Sequence, residues 1–232
     1  MNIKFDTYTL KARAIPAVLV SIPFFTLHYF LLSPTLGKFW SAVLGIKILT
    51  DITFTFALFF LLMHLNRIIS KEVFEKILYK DGLNFPTTKM LLHKDSSFSD
   101  QYKKKIHEKI KSDFKIKIPS SEEEMKNERL SDQCIVEAIS HIRRKVGTGI
   151  LLGQHNEEYG FIRNLTGGSL FASLISLFNV IIFQWIYPDK TALSISEIAG
   201  GIYFILMLFS FCMIKSVGRS YVKVLIQEYM AK

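Results

Sequence analysis

Four apolar runs, each long enough to cross a bilayer, constrain this chain more than any other feature. A helical span needs about 20 predominantly apolar residues at a rise of about 1.5 Å each. The first run is Ile15–Leu32 (IPAVLVSIPFFTLHYFLL), and the second covers about 40–65, interrupted only by Lys47 and Asp51. The third is Gly168–Tyr187 (GSLFASLISLFNVIIFQWIY) and the fourth Ile198–Ile214 (IAGGIYFILMLFSFCMI). A signal peptide explains at most the first run, and no small-residue cleavage site follows it. Half of the 232 residues are apolar and 20 are Phe, yet 21% are charged. Those figures coexist only if apolar and charged residues occupy different stretches, as they do here.

Basic residues near span ends set orientation. The amino end carries Lys4, Lys11 and Arg13, the carboxyl end Lys215, Arg219, Lys223 and Lys232. Asn66–Leu165 holds 19 of the 29 Lys and Arg, whereas the short connections Ser33–Lys38 and Pro188–Glu197 hold only Lys38 and Lys190. Both termini and the centre are therefore expected to face the cytoplasm. Trp40, Trp185 and Tyr187 fall where an outer aromatic belt is expected. The fold class is mainly α: four transmembrane helices in a 2+2 arrangement, with a small, mostly helical cytoplasmic domain inserted between spans two and three. The divisions are a transmembrane hairpin at 1–65, a basic cytoplasmic domain at 66–165, and a second hairpin with a basic tail at 166–232.

Within the centre, Arg67–Lys80 has helical apolar spacing and continues span two, ending at Asp81–Gly82. Gly82–Leu92 (GLNFPTTKMLL) reads as a linker or short strand, because Pro86 disfavours helix at Phe85. Ser99–Phe114 opens on the N-cap candidates Ser99 and Asp100 and places Tyr102, Ile106, Ile110 and Phe114 on one stripe. Lys115–Pro119 alternates like a strand, and Ser120 with Glu123 fits a capping box. A helix at Ser131–Val146 presents Ile135, Val136, Ile139 and Ile142; Gly147–Gly153 breaks it, and Gln154–Leu165 leads helically into span three.

No nucleophile elbow, phosphate-binding loop or zincin motif occurs, and the six histidines are scattered. No catalytic or metal site and no cofactor or small-molecule substrate is expected; Cys134 and Cys212 read as small hydrophobes in a reducing compartment. Lys47 and Asp51 share one helical face in span two, either paired near the outer interface or lining a pore. Asn179 and Gln184 add polar lining or interhelical hydrogen bonds. Tyr102–Lys117 carries seven lysines (103, 104, 105, 109, 111, 115 and 117) against Glu108 and Asp113, and Arg143, Arg144 and Lys145 form a second cluster. Lys103, Lys104, Lys105, Lys109, Lys111, Arg143, Arg144 and Lys145 are the candidate ligand residues for a polyanion. Anionic lipid or a nucleic acid or nucleotide suits that charge. A pore within four spans calls for a symmetric oligomer.

Two segments, GLNFPTTKMLL at Gly82–Leu92 and EYGFIRNLTGG at Glu158–Gly168, carry a resemblance together with the helix Asp100–Phe114, the KIPSSEEE junction and the four-span plan. The chain resembles the four-span membrane effectors of bacterial anti-phage defence loci, in particular those of the Hailong system. The resemblance implies a homotetrameric ion channel in the bacterial inner membrane. It implies closure by single-stranded DNA oligomers made by a partner nucleotidyltransferase, and depolarisation when that DNA is lost. Tyr159, Gly160, Arg163 and Asn164, just before span three, read as a gating elbow or as a structural one, with Arg163 pairing Glu157, Glu158 or a ligand phosphate. The competing reading is a membrane sensor or scaffold that recruits a soluble effector, without a pore.

Overall fold

The computed structural model describes residues 6–35, 47–80, 82–147 and 149–232. Lys4, Lys38, Trp40 and Asp81, and the side chains of Lys47, Thr50 and Asp51, lie outside the described residues. The chain is mainly helical, with no strand among the described residues. In order, the helices are α1 (Thr7–Leu19), α2 (Ile22–Thr35), α3 (Lys47–Ile69, prolonged by Ser70–Glu75 and Lys76–Tyr79), α4 (Pro86–Lys89), α5 (Asp100–Phe114), α6 (Ser121–Lys126), α7 (Glu128–Val146), α8 (Ile150–Ile186) and α9 (Lys190–Ala231).

Two compact units emerge. One comprises Met1–Phe74 and Gly160–Phe211, the other Glu75–Tyr159 and Cys212–Lys232. In the first unit, stretches of α3, α8 and α9 are each long and apolar enough to cross a membrane; α1 and α2, bent by 45° at Val20–Ser21, make a fourth if taken as one span. The chain thus has the helices of a multi-pass membrane protein.

The first unit carries large apolar side chains on its surface and several polar ones inside. Phe56, Leu174, Leu177, Ile198, Ile202, Leu208 and Phe209 are exposed, while Asn66, Asn164, Ser169, Ser176, Asn179, Ser196 and Ser210 are buried. An apolar exterior with buried polar side chains is compatible with a multi-pass membrane protein, in which lipid covers apolar surface and polar groups bond between helices. Ala17, Val20, Leu58, Leu62, Leu165, Ala172, Ala199 and Tyr203 fill the centre.

Two prolines explain part of this bonding. Proline has no N–H, so Pro16 leaves the Ala12 carbonyl without its helical donor, and Pro23 does the same to Leu19. Asn164 Nδ2 donates to the Ala12 oxygen at 2.5 Å and the Tyr203 hydroxyl to the Leu19 oxygen at 2.6 Å. Neighbouring helices thereby supply the donors that the bilayer cannot. The 45° bend falls between these prolines, and Asn179 Nδ2 also donates to the Pro23 carbonyl, at 2.7 Å.

Small residues of α8 allow close approach. A Cβ on Gly160 would lie 2.8 Å from Ala12 Cβ; one on Gly167 would meet the Asn66 carbonyl oxygen and lie 2.7 Å from the Ser70 nitrogen. The Ser70 hydroxyl donates to the Arg163 carbonyl at 2.6 Å, beside a π-helical turn, Ser70–Glu75.

The core of the second unit joins Met90, Leu91 and Leu92 to Ile106 and Ile110 of α5, to Ile135, Ala138, Ile139, Ile142 and Val146 of α7, and to Val222, Leu225, Ile226 and Tyr229 of α9. The carboxyl end, read from sequence as a tail, is therefore a core helix. Neither stretch forms a strand: Gly82–Leu92, read as a linker or short strand, contains the helical turn Pro86–Lys89, and the alternation in Lys115–Pro119 instead sets Ile116 and Ile118 against the core. The capping box at Ser120 and Glu123 is present with both hydrogen bonds. α7 starts earlier than expected, at Glu128 after the N-cap Asn127, and Val136 on it is exposed. Its break is shorter than expected: Gly147, at φ 72°, ends α7, and Gly153 already lies within α8.

Candidate polyanion interface

The expected basic surface lies on the second unit. Ser99 caps α5, its hydroxyl accepting from the Tyr102 N–H at 3.3 Å. Burying Ile106 and Ile110 turns Lys104, Lys105 and Lys111 outward. On α7, burial of Ile139, Ile142 and Val146 exposes Arg143, Arg144 and Lys145.

α9 brings the two clusters together. The Tyr229 ring lies 5.5 Å from Lys109 Nζ and 5.9 Å from Lys145 Nζ, and the Tyr221 ring lies 5.7 Å from the Arg143 guanidinium. These are cation–π distances. Lys145 also pairs with Asp113 at 2.7 Å, and the Tyr229 hydroxyl donates to the same carboxylate at 2.8 Å. Lys145, then Tyr229, hold the Asp113 carboxyl below its usual range. Lys232 Nζ donates to the Val146 carbonyl at 2.6 Å, capping the end of α7. Sequence reasoning missed Tyr221, Tyr229 and Lys232. The signal was there: Tyr221, Val222, Leu225, Ile226 and Tyr229 keep helical spacing beyond the fourth apolar run.

Lys103 is a correction. It is 2% exposed, and its ammonium donates to the carbonyls of Leu92 at 3.1 Å and His93 at 2.9 Å and to that of Asp95. It ties the turn before α5 to the helix and offers no donor to a ligand. Lys103→Met is expected to lower the unfolding free energy by about 2 kcal/mol, because buried carbonyls lose their partner. The checking measurement is thermal unfolding beside Lys104→Met, which should change almost nothing.

A cleft of about 430 Å³ opens beside this turn, lined by His93, Asp100, Lys103, Lys104, His107 and Glu108. His107 Nε2 lies 2.9 Å from the Leu91 carbonyl and donates to it. Burial holds the His107 pKa below its ordinary value, with His93 and Lys103 adding to the effect and the Leu91 hydrogen bond opposing it.

The residues read as an elbow, Tyr159, Gly160, Arg163 and Asn164, all have helical backbone within α8. Tyr159 belongs to the second unit, where its hydroxyl donates to Glu75 at 2.7 Å. Gly160, Arg163 and Asn164 belong to the first, where Asn164 is buried on the Ala12 carbonyl. Asn179 is likewise buried in interhelical bonding. Trp185, 71% exposed, lies at the end of α8, as a belt residue would. Among the described residues, no group of three His, Cys, Asp or Glu could hold a metal ion. A scan of protein-family models, a search of curated proteins and a search of solved structures each found no match.

Proposed function

We propose that this chain is a multi-pass effector of the bacterial inner membrane that acts in anti-phage defence as an oligomeric, ligand-gated ion channel. Its four spans are arranged 2+2, with both termini and the basic unit in the cytoplasm. The ligand is a single-stranded DNA oligomer or nucleotide, the product of a partner nucleotidyltransferase, and it holds a tetrameric pore closed. Loss of the ligand depolarises the membrane. The observation that carries this reading is the convergence of the α5 and α7 cations on Tyr221 and Tyr229 of α9. Cations gathered on one face suit a flexible phosphate backbone, with Tyr221 and the buried Tyr229 holding them in place, and α9 also carries the fourth apolar run.

The mechanism is a population shift: the polyanion binds the closed state more tightly and biases the pore. Moving the balance from about 1:99 to 99:1 takes about 5.5 kcal/mol of differential affinity, or about 1.4 kcal/mol from each of four subunits. A few phosphate contacts per subunit are enough.

The test is ion flux through the full chain in liposomes, with and without short single-stranded DNA and cyclic nucleotides. DNA should suppress flux in the wild type. Neutralising Lys104, Lys105, Lys111 and Arg144 together should abolish that response. The salt dependence of DNA binding should flatten by about 3 in log–log slope, at about 0.7 per lost single-strand contact. Flux indifferent to every polyanion would sink the gating. The scaffold reading is favoured by Met125 at 78% and Ile150 at 87% exposure, apolar side chains suited to protein contact. Absence of flux from inserted, folded protein would select it.

A further inference from the structure

Glu197 occupies a position that the sequence reading assigned to an outer connection. The turn between α8 and α9 is much shorter than expected. Tyr187 ends the π-helical close of α8, Asp189 caps the next helix by accepting from the Ala192 N–H at 2.8 Å, and α9 begins at Lys190. Glu197 is therefore seven residues into α9, about 10 Å along its axis. It is exposed, and no hydrogen bond or ion pair engages it among the described residues. No other carboxylate occurs in 168–187 or 190–211.

Its depth follows from its neighbours. Glu197 shares an open groove of about 470 Å³ with Leu177, Val180, Gly200 and Gly201. Val180 precedes Trp185 by five residues, about 7.5 Å of helix, so Glu197 lies well inside the level of that aromatic. A second polar group opens on the same groove. Ser176 is fully buried, lines the groove, and its hydroxyl has no hydrogen-bond partner; a Cβ on Gly200 would lie 3.2 Å from its own Cβ. Ser173 lines the groove as well.

A charged side chain facing lipid costs about 2.5–3.5 kcal/mol at a helix centre on insertion scales, and less toward the interface. Intramembrane carboxylates face a bundle interior or water instead. Among the described residues of one chain, no partner or bundle interior takes up Glu197. Small residues and serines beside it leave room for water, and a ring of acids contributed by several copies is how cation pores are built.

We infer that Glu197 lines the ion path, one carboxylate per subunit, and that the ring binds the permeating metal cation, with the Ser176 hydroxyl as a neutral oxygen ligand or water anchor beside it. The pore is thereby cation-selective. This rests on the channel reading and names the class of ion that it passes.

The test measures the reversal potential of the full chain in phosphatidylethanolamine–phosphatidylglycerol bilayers under a KCl gradient, for wild type, E197D and E197Q. Wild type and E197D should favour K⁺ over Cl⁻. E197Q should still conduct, with its K⁺ to Cl⁻ permeability ratio lower by roughly fivefold, the enrichment that one charge at ~4 Å produces in water. Should E197Q not insert, E197S serves the same purpose. A conducting wild type that passes Cl⁻ as readily as K⁺ overturns the inference, and so does an E197Q or E197S channel with an unchanged ratio; both leave the channel reading standing. No conductance from folded wild type removes the channel reading itself.

Discussion

Tyr229→Ala is expected to unfold the second unit while leaving the apolar helices inserted. Tyr229 is 0% exposed, and its ring stacks against Phe114 at 5.9 Å and 17°. Its hydroxyl holds Asp113, and Lys109 and Lys145 lie over its ring. Truncating a large buried aromatic costs about 3–5 kcal/mol, a large part of the 5–15 kcal/mol that stabilises a typical domain. Limited trypsinolysis in detergent reads the result: the lysines of α5 and α7 should become cleavable while α8 beyond Gly160 stays protected. Tyr229→Phe should cost only about 1 kcal/mol, because Asp113 keeps Lys145. If the alanine variant resists protease as the wild type does, the carboxyl end is not the core helix described here. DNA binding should fall with the fold in Tyr229→Ala and survive in Tyr229→Phe.

The second large effect is expected at Gly167. A Cβ there would press on the Asn66 carbonyl oxygen and lie 2.7 Å from the Ser70 nitrogen, both backbone atoms. Backbone cannot rotate aside as a side chain can, so α8 and α3 have to separate. Separation would also break the Ser70 hydroxyl bond to the Arg163 carbonyl. Gly167→Val is expected to destabilise the first unit by about 3 kcal/mol, the upper range for overpacking. Gly201 is the control, since a Cβ there meets nothing within 4 Å. The two valine variants can be compared by size-exclusion profile and melting temperature in one detergent. Equal behaviour would contradict the close approach of these helices.

Much of the helical plan was legible because a 20-residue apolar run has few alternatives. The ends of those runs were not, since a helix stops where its hydrogen bonds stop and not where its hydrophobicity does. α1 begins at Thr7, ahead of Ile15, because Lys11 and Arg13 are compatible with helix and can extend toward water. Pro188–Glu197 read as a loop because it is polar, although Asp189 after a proline is a helix-start signal. Lys103 sits in a run of three lysines and shares their composition. Its register with Ile106 and Ile110, three and seven residues on, was the clue that it faces the core. The alternation in Lys115–Pro119 was genuine, but it had no second strand to pair with and served packing instead. The cation-gathering role of Tyr229 was hidden for another reason: Tyr229 and the cations around it lie far apart in sequence, and only the packed core brings α5, α7 and α9 together.

The second unit draws its core from two stretches separated by the apolar helices at Gly160–Phe211. A ribosome makes Leu91, Ile106 and Ile139 first, then the two apolar helices, and only afterwards Val222, Leu225 and Tyr229. At about 5–20 residues per second, the earlier faces wait several seconds for their partner. By then both apolar helices have been made. The apolar helices are therefore complete before the basic unit in the life of each molecule, and a chain interrupted between the two is left with sticky, unfinished helices open to chaperones and proteases.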